Sequence, residues 1–249
     1  MNYKLETGTF KQFLDCLNTI LKDSEIKLFF TESGLEGTGW NGSHVVLVHA
    51  KIPKEHFLHF DSPSEASIDF NDLNGLARRC KGPTIEIKNE ENSLTLIAYP
   101  TQKTFRLGQI EIRETPMDVS KLKIFDDVSL TMTSEQFHEI IMDIIATFAR
   151  DTTTVHFPTK FKGAGEYITI SAESDTARYE NSIHKGDLEN FMLKESATTS
   201  TNVNNISDIA RISFKSIEID FSEDTPIHMK LEEAGVRADW WAAPVVERD

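Results

Sequence analysis

The sequence predicts an α+β protein built from two similar domains in tandem. The first observation is an internal repeat, because an apolar helical pattern returns 137 − 10 = 127 residues further on. Its members are Phe10, Phe13, Leu14 and Leu17, which return as Phe137, Ile140, Ile141 and Ile144. Residues 71–78 likewise return at 204–211, and 85–87 return at 217–219. The second observation is that each half contains two amphipathic helical patterns among many short apolar runs, which favours antiparallel sheets with helices on one face.

The first half is predicted to open with a strand at 3–5 and a helix that Thr9 caps. Glycines then punctuate turns between two strands at 26–30 and 44–50; they are Gly34, Gly37, Gly39 and Gly42. A second helix is predicted over about 71–81, with Leu73, Leu76 and Ala77 on its buried face. Three further strands complete the domain at 84–87, 93–98 and 104–112.

The second half repeats this order. A strand at 128–132 precedes a helix that Thr133 or Ser134 caps and that runs to about Arg150. A short helix is predicted over about 204–213. The remaining strands are predicted at 155–157, 167–172, 178–183, 188–193, 216–221, 226–232 and 238–243.

The segment between the halves predicts an ordered connection. It contains Pro116 and places large apolar residues among polar ones, as a segment crossing a protein surface does. The predicted organisation is therefore an N-terminal domain at 1–113, a connecting loop at 114–126 and a C-terminal domain at 127–249.

Composition narrows the class of protein. A formal net charge of −14 argues against a protein that coats nucleic acid with its whole surface. We expect no signal peptide, since residues 1–6 lack an apolar stretch, and no apolar run is long enough to span a membrane. Cys16 and Cys80 lie in separate helical patterns, so we expect no disulfide framework and an intracellular, reducing location.

Nearly the whole chain resembles a known family, and four segments are the most specific parts of that resemblance. They are residues 31–35 (Thr-Glu-Ser-Gly-Leu), 43–47 (Ser-His-Val-Val-Leu), 224–226 (Asp-Thr-Pro) and 240–245 (Trp-Trp-Ala-Ala-Pro-Val). With the duplication and the connecting loop, the sequence resembles the trimeric DNA sliding clamps of the proliferating cell nuclear antigen (PCNA) type of archaea and eukaryotes. The resemblance implies a clamp fold and a three-subunit ring around duplex DNA. It also implies a processivity factor for DNA replication and repair, which is not an enzyme and needs no cofactor or metal.

The resemblance also implies a head-to-tail interface between subunits. One edge strand would lie at 104–112 and the other at 177–183. The implied contact residues are Phe105, Leu107 and Ile110 on the first edge, and Arg178, Tyr179 and Ile183 on the second. The alternative is that both are ordinary strands inside a monomeric sheet.

The four helical segments are the DNA-facing elements that the resemblance implies, and they are less acidic than the rest of the chain. Their cations are Lys11, Lys22, Arg78, Arg79, Lys81, Arg150, Arg211 and Lys215. Six carboxylates oppose these eight cations, so the helices carry +2 on a chain of −14. The third helix departs from the family pattern, with Glu139 and Met142 at positions where basic residues are usual.

A docking pocket for partner peptides is implied between the connecting loop and the C-terminal segment. The matching residues are Trp40, His44, Val45, Leu47, Leu122, Ile124, Pro226, Trp241, Ala243 and Pro244. Expected occupants are a DNA polymerase, a clamp loader and other enzymes that carry PCNA-interacting peptides, which insert aliphatic and aromatic anchors into such grooves. Trp40 and Trp241 are bulkier than the usual residues, and the alternative is that they are core residues.

Other functions remain open at this point. A checkpoint-type clamp or one subunit of a heterotrimer would fit the acidic third helix, as would an interaction scaffold that never touches DNA. An acidic enzyme with a duplicated fold is also possible, but no metal, nucleophile or phosphate-binding motif is evident. The location would be cytoplasmic in an archaeal host and nuclear in a eukaryotic one.

Overall fold

The computed structural model describes residues 1–22, 24–112, 117–149 and 158–245, and the chain divides into two compact units. The first unit comprises Met1–Ser120 together with Glu232–Ala238. The second comprises Lys121–Leu231 together with Asp239–Asp249. The division at Ser120 and Lys121 lies inside the connecting segment 114–126, and 232–238 group with the first unit.

The first unit contains two antiparallel sheets and two helices. The helices are α1 (Thr7–Asn18) and α2 (Phe70–Arg79). The strands are β1 (Asn2–Glu6), β2 (Glu25–Thr31), β3 (Gly34–Trp40), β4 (Val46–Pro53), β5 (Phe57–Phe60), β6 (Ser64–Asp69), β7 (Thr84–Glu90), β8 (Ser93–Tyr99) and β9 (Lys103–Gly108). One sheet has the order β5-β1-β7-β8-β9 and the other has the order β4-β3-β2-β6.

The N-cap of helix α1 lies three residues earlier than predicted. Glu6 is its N-cap residue, whereas Thr9 lies inside the helix and donates its hydroxyl hydrogen to the carbonyl oxygen of Ala234, 3.2 Å away. The predicted cap at Thr9 is therefore wrong, because that hydroxyl serves a tertiary contact. The predicted apolar face is confirmed, since Phe10, Phe13, Leu14 and Leu17 are all fully buried.

Two glycines that were predicted in turns lie inside strand β3. A Cβ atom on Gly37 would lie 3.1 Å from Leu17 Cδ1, and one on Gly39 would lie 2.4 Å from Leu21 Cδ2. Because these glycines have no side chains, α1 and the residues that follow it as far as Leu21 can pack closely against the sheet. Close approach of another segment is a common reason for glycine within a strand. Gly34 starts the same strand after a two-residue turn, and only Gly42 lies between strands.

The second unit repeats this arrangement. Its helices are α3 (Ser134–Phe148) and α4 (Val203–Ser207), and a 3₁₀ turn follows at Ile209–Arg211. Its strands are β10 (Val128–Thr133), β11 (Pro158–Ala164), β12 (Tyr167–Glu173), β13 (Arg178–His184), β14 (Asn190–Leu193), β15 (Ala197–Asn202), β16 (Ser216–Phe221), β17 (Ile227–Glu233) and β18 (Val236–Ala242). The predicted strand at 155–157 lies outside the described residues.

The strand orders confirm the duplication that the sequence predicts. In the second unit β14-β10-β16-β17 are neighbours, as β5-β1-β7-β8 are in the first. Likewise β13-β12-β11-β15 match β4-β3-β2-β6. The two halves therefore fold as one module used twice, with an α+β composition.

The helix caps of the second unit follow the sequence closely at α3. Thr133 is the N-cap residue, and its hydroxyl oxygen accepts a hydrogen bond from the backbone N–H of Gln136 at 3.1 Å. The helix predicted over 204–213 is shorter, because α4 ends at Ser207 and a 3₁₀ turn continues it.

Five strands were not predicted: β3, β5, β6, β11 and β15. Strand β15 shows the reason, since its inward residues are Thr199 and Thr201 instead of aliphatic side chains. Their buried hydroxyls donate to the carbonyl oxygens of Thr225 and Ala243. A polar strand of this kind has no apolar alternation for the sequence to reveal.

Both cysteines, Cys16 and Cys80, are free thiols, and both are buried. Among the described residues, none of the helices has the length and apolar character needed to span a membrane.

Candidate partner and nucleic-acid interfaces

Strand β9 forms one edge of the five-stranded sheet in the first unit. Its inner side pairs with β8, and no strand within the described residues pairs with its outer side. Leu107 is almost fully buried, while Phe105 is half-buried. The strand ends at Gly108, so Ile110 lies beyond it and donates its backbone N–H to the carbonyl oxygen of Ser67.

Strand β13 forms an edge in the second unit. It pairs with β12 on one side only, again within the described part of the chain. Ile183 is buried opposite Ile168, whereas Tyr179 is half-buried. Arg178 is exposed and forms an ion pair with Glu180, whose hydrogen bond and charge raise the pKa of the arginine. Each unit thus has one of the two sheet edges that the family resemblance implies for subunit contacts.

Several cations on the candidate DNA-facing helices already have partners. Arg78 pairs with Asp15 at 2.6 Å, and Arg211 pairs with Asp208 at 3.0 Å. Lys11 donates to the carbonyl oxygen of Cys80. The exposed side chains of Arg79 and Lys81 stand at the end of α2, where the helix dipole favours positive charge. Lys22 and Lys215 are also exposed, and Arg150 lies outside the described residues.

Helix α3 carries a row of carboxylates on its exposed side. Glu135, Glu139 and Asp143 are spaced four residues apart, which aligns them along one face, and all three are exposed. The opposite face is apolar and buried, from Phe137 to Phe148. This α3 acidic row makes the exposed surface of the helix negative, in contrast to the end of α2.

The candidate peptide-binding residues of the first unit lie at the end of β3 and the start of β4. The side-chain oxygen of Asn41 accepts hydrogen bonds from the backbone N–H groups of Val45 and Val46, which holds the loop between the strands. Trp40 is half-buried and its ring lies 6.2 Å from the exposed His44 ring. Val45 is half-buried, whereas Leu47 is fully buried at the strand position opposite Trp40.

The candidate residues of the second unit lie before β10 and after β16. Ile124 is 46% exposed, and the other members are all partly exposed: Leu122, Pro226, Trp241, Ala243 and Pro244. The segment after β18 is held against β15, because the Val245 N–H donates to Ser200 and the Ala243 carbonyl accepts from Thr201. A partly exposed apolar surface on a fixed backbone is suited to peptide docking.

No protein-family model matches the chain. Curated proteins and solved structures do match it, and both sets are sliding clamps. DNA polymerase sliding clamp 2 of Sulfurisphaera tokodaii is 24% identical over 246 residues, which span 94% of this chain and 96% of that protein. The DNA polymerase sliding clamp of Thermococcus sibiricus is 25% identical over 251 residues, with 95% and 96% coverage.

Solved structures match over the full length. PCNA from Entamoeba histolytica superposes with a TM-score of 0.84 at 17% identity, and 98% of each chain is covered. A. fulgidus PCNA, solved with the C-terminal region of FEN-1 bound, gives 0.83 at 17% identity and covers 100% of this chain and 99% of that one. The PCNA2–PCNA3 complex of Sulfolobus tokodaii gives 0.81 at 20%, with 99% and 100% coverage. The chain is thus similar in sequence to curated sliding clamps and has the fold of the PCNA structures.

One cluster in this clamp-fold chain was missed by sequence reasoning. His228 on β17 lies between two carboxylates, with Nδ1 3.0 Å from Asp220 Oδ2 and Nε2 3.0 Å from Asp239 Oδ1. The side chains of all three are nearly inaccessible, with 3%, 7% and 8% exposure for His228, Asp220 and Asp239. The only signal in the sequence is that each stands one residue from an apolar core position, which does not distinguish it from a surface residue.

The cluster is electrostatically unusual. Burial alone lowers the pKa of His228, but the hydrogen bonds and charges of Asp220 and Asp239 outweigh burial, so that this pKa lies above its ordinary value. The Trp241 ring stacks on the imidazole with 5.0 Å between centroids and 28° between planes. A candidate peptide-binding residue therefore rests on a buried charged cluster.

Proposed function

We propose that this protein is a DNA sliding clamp. Three chains would form a ring around duplex DNA and hold a DNA polymerase and other replication and repair enzymes at their site of action. The observation that carries the proposal is the full-length similarity to sliding clamps. The protein would act without catalysis, by raising the effective concentration of its partners on DNA.

The ring would close through edges β9 and β13. Pairing two different edges of neighbouring chains is a heterologous contact, and three such contacts close a ring if the rotation per subunit is one third of a turn. Pairing would also cover two open strand edges that otherwise promote aggregation. These open edges on the two copies of one module support this interface.

DNA contact would be sequence-independent and weak. The helical segments carry only +2 per chain, and two of their arginines already pair with carboxylates. Attraction to phosphate at this charge density is strongly screened at physiological salt. Retention on DNA would therefore depend on the closed ring and not on adhesion.

The groove residues around Leu122, Ile124 and Trp241 would dock partner peptides. A short helical turn with one aliphatic and two aromatic anchors fits a partly exposed apolar surface of this kind. The A. fulgidus relative was solved with the C-terminal region of FEN-1 bound, which supports a peptide-docking role for this fold.

The test is retention on circular DNA. Protein loaded onto a nicked circular plasmid should remain bound through a moderate-salt wash and should be released when the circle is cut. In the control reaction the enzyme cuts a second plasmid in the same tube that carries no loaded protein, and the loaded circle stays intact. Protein that stays bound to the linearised plasmid would contradict a topological clamp.

A second candidate is one subunit of a heterotrimeric or checkpoint-type clamp, which the α3 acidic row favours. The Sulfolobus tokodaii neighbour is itself a complex of two different PCNA chains. Light scattering distinguishes the two, since a homotrimer has three times the 28.2 kDa chain mass. A scaffold that never touches DNA would fail the plasmid test but keep peptide binding. Either clamp would act where DNA is replicated, in the cytoplasm of an archaeon or the nucleus of a eukaryote.

A further inference from the structure

The buried cluster behind Trp241 is formed by three neighbouring strands. Asp220 on β16 lies directly opposite His228 on β17, and Asp239 on β18 approaches the imidazole from the other side. Both imidazole nitrogens are thus engaged by carboxylate oxygens. Two carboxylates can each accept a hydrogen bond only if both ring nitrogens carry hydrogen, which requires the imidazolium form.

Loss of that proton would leave the cluster unsatisfied. A neutral imidazole has one N–H, so one of the two buried carboxylates would lose its hydrogen bond to the ring, and the positive charge that faces both carboxylates would be gone. Removing one charged partner from a buried ion pair is costly, and the local structure relaxes to solvate the remaining charge better. The imidazole is the group on which the Trp241 ring stacks, so its displacement would move the indole.

We propose that the Asp220–His228–Asp239 cluster positions the Trp241 indole for a docked peptide, and that docking weakens when His228 loses its proton. The cation beneath the indole also attracts the ring face, which favours one orientation of Trp241. Trp241 remains partly exposed, so a ligand can reach it. This inference rests on the proposed peptide groove and deepens it by naming a positioning residue outside it.

Other charged groups lie on the same strands and enter any pH response. Glu218 on β16 and Lys230 on β17 form an ion pair at 3.4 Å. Each lies two residues along its strand from Asp220 or His228 and on the same face of the sheet. Arg237 lies two residues before Asp239 along β18. Glu218 therefore offers a matched control, because neutralising it removes one carboxylate from neighbouring strand positions without touching His228.

The direction of the pH effect follows from linkage. A histidine whose pKa is higher in the folded state than in the unfolded state stabilises the folded state. This stabilisation is complete below the unfolded-state pKa, which is about 6.5. That contribution is lost as the pH rises through the folded-state pKa. For His228, whose pKa is raised, the loss therefore falls above that unfolded value.

The experiment measures the affinity of an end-blocked peptide with one aliphatic and two aromatic anchors, free of histidine and cysteine. Titration calorimetry is run at about pH 6.5 and about pH 9 on His44→Gln protein, so that the exposed His44 does not contribute. Binding should weaken about tenfold at the higher pH, the size of one partly desolvated cation–π contact. The added Asp239→Asn variant should show no more than about a twofold change, because its amide can donate to a neutral imidazole.

Glu218→Gln is the control and should keep the tenfold pH dependence. A second measurement follows the His228 imidazole by NMR, since reciprocity requires that a peptide favouring the protonated cluster raise the titration midpoint. Should Asp239→Asn fail to fold, Asp220→Asn makes the same isosteric change on the other side of the ring. Equal pH profiles with and without the Asp239→Asn change, or an unmoved His228 midpoint, would overturn the inference while leaving the groove intact. No peptide binding at about pH 6.5 would instead refute the groove, and this inference with it.

Discussion

At the scale of single residues, two adjacent tryptophans show how strand alternation assigns different roles. Trp240 is fully buried in the core, whereas Trp241 points to the opposite face, stays partly exposed and stacks on His228. The sequence predicts that the two face opposite ways. It cannot identify His228 as the support, because the partners Asp220 and Asp239 come from strands before and after it.

Substitution by alanine at two glycines should change the free energy of unfolding in opposite directions. Gly39→Ala should lower the free energy of unfolding by about 1–3 kcal/mol, since its Cβ would lie 2.4 Å from Leu21 Cδ2 in a packed interior. Gly75→Ala should raise it by about 0.5–1 kcal/mol, because Gly75 is an exposed residue of α2 with no atom within 4 Å of the added carbon. Urea unfolding measures both, and destabilisation by the α2 change would contradict this packing.

At the scale of secondary-structure elements, sequence reasoning worked where a local signal dictates local structure. The cap at Thr133 and the apolar faces of α1 and α3 were predicted because hydrogen bonding and 3.6-residue periodicity act within one turn of chain. It failed at β15 and β3, where the determining partners are distant. Thr199 and Thr201 are satisfied by carbonyls more than twenty residues away, and Gly37 and Gly39 are required by the preceding α1 segment.

The edge strands give a prediction about assembly. Tyr179→Asp on β13 and Phe105→Asp on β9 should each abolish trimers, because each places a charge in a paired edge. A mixture of the two variants should form dimers of twice the chain mass, since each retains the edge that the other lacks. Light scattering measures the masses.

The control for this prediction is Leu58→Asp on β5, an edge strand that the proposed ring does not use, where Leu58 is 62% exposed. It should leave the trimer unchanged. A homodimer from either single variant, or no change in mass, would show that β9 and β13 are not the contacting edges.

The connecting segment gives a prediction about partners. Replacing Leu122 and Ile124 together by Ala should weaken peptide binding at least about tenfold, since aliphatic anchors in a docking groove commonly contribute more than 1 kcal/mol. Stability should change little, because Ile124 is 46% exposed. Calorimetric titration gives the affinity, and Met117→Ala, another exposed residue of the segment, is the control. Equal affinities would place the groove elsewhere.

At the scale of the whole molecule, charge is distributed so that neither the body nor most of the helical surface attracts DNA strongly. The chain carries −14 overall, and the α3 acidic row occupies a surface that the proposed ring would turn towards the duplex. A clamp with this pattern gains mobility along DNA, because fewer phosphate contacts must be broken at each step. Such a clamp also depends on ring closure for its retention, because an open ring with few phosphate contacts dissociates readily from DNA.

Reversing two charges of the α3 acidic row should convert the proposed topological binding of DNA into adhesive binding. Glu139→Lys with Asp143→Lys changes the charge of every chain at a position that three chains would share around the duplex. Affinity for a short linear duplex should rise about tenfold or more at low salt, and its logarithm should fall more steeply with the logarithm of salt concentration. The control is Glu189→Lys with Glu195→Lys, which makes the same charge change outside the helices. Fluorescence anisotropy across a salt series measures both slopes. Equal gains from the two pairs would mean that α3 does not face the DNA, and the proposed orientation of the ring would then be wrong.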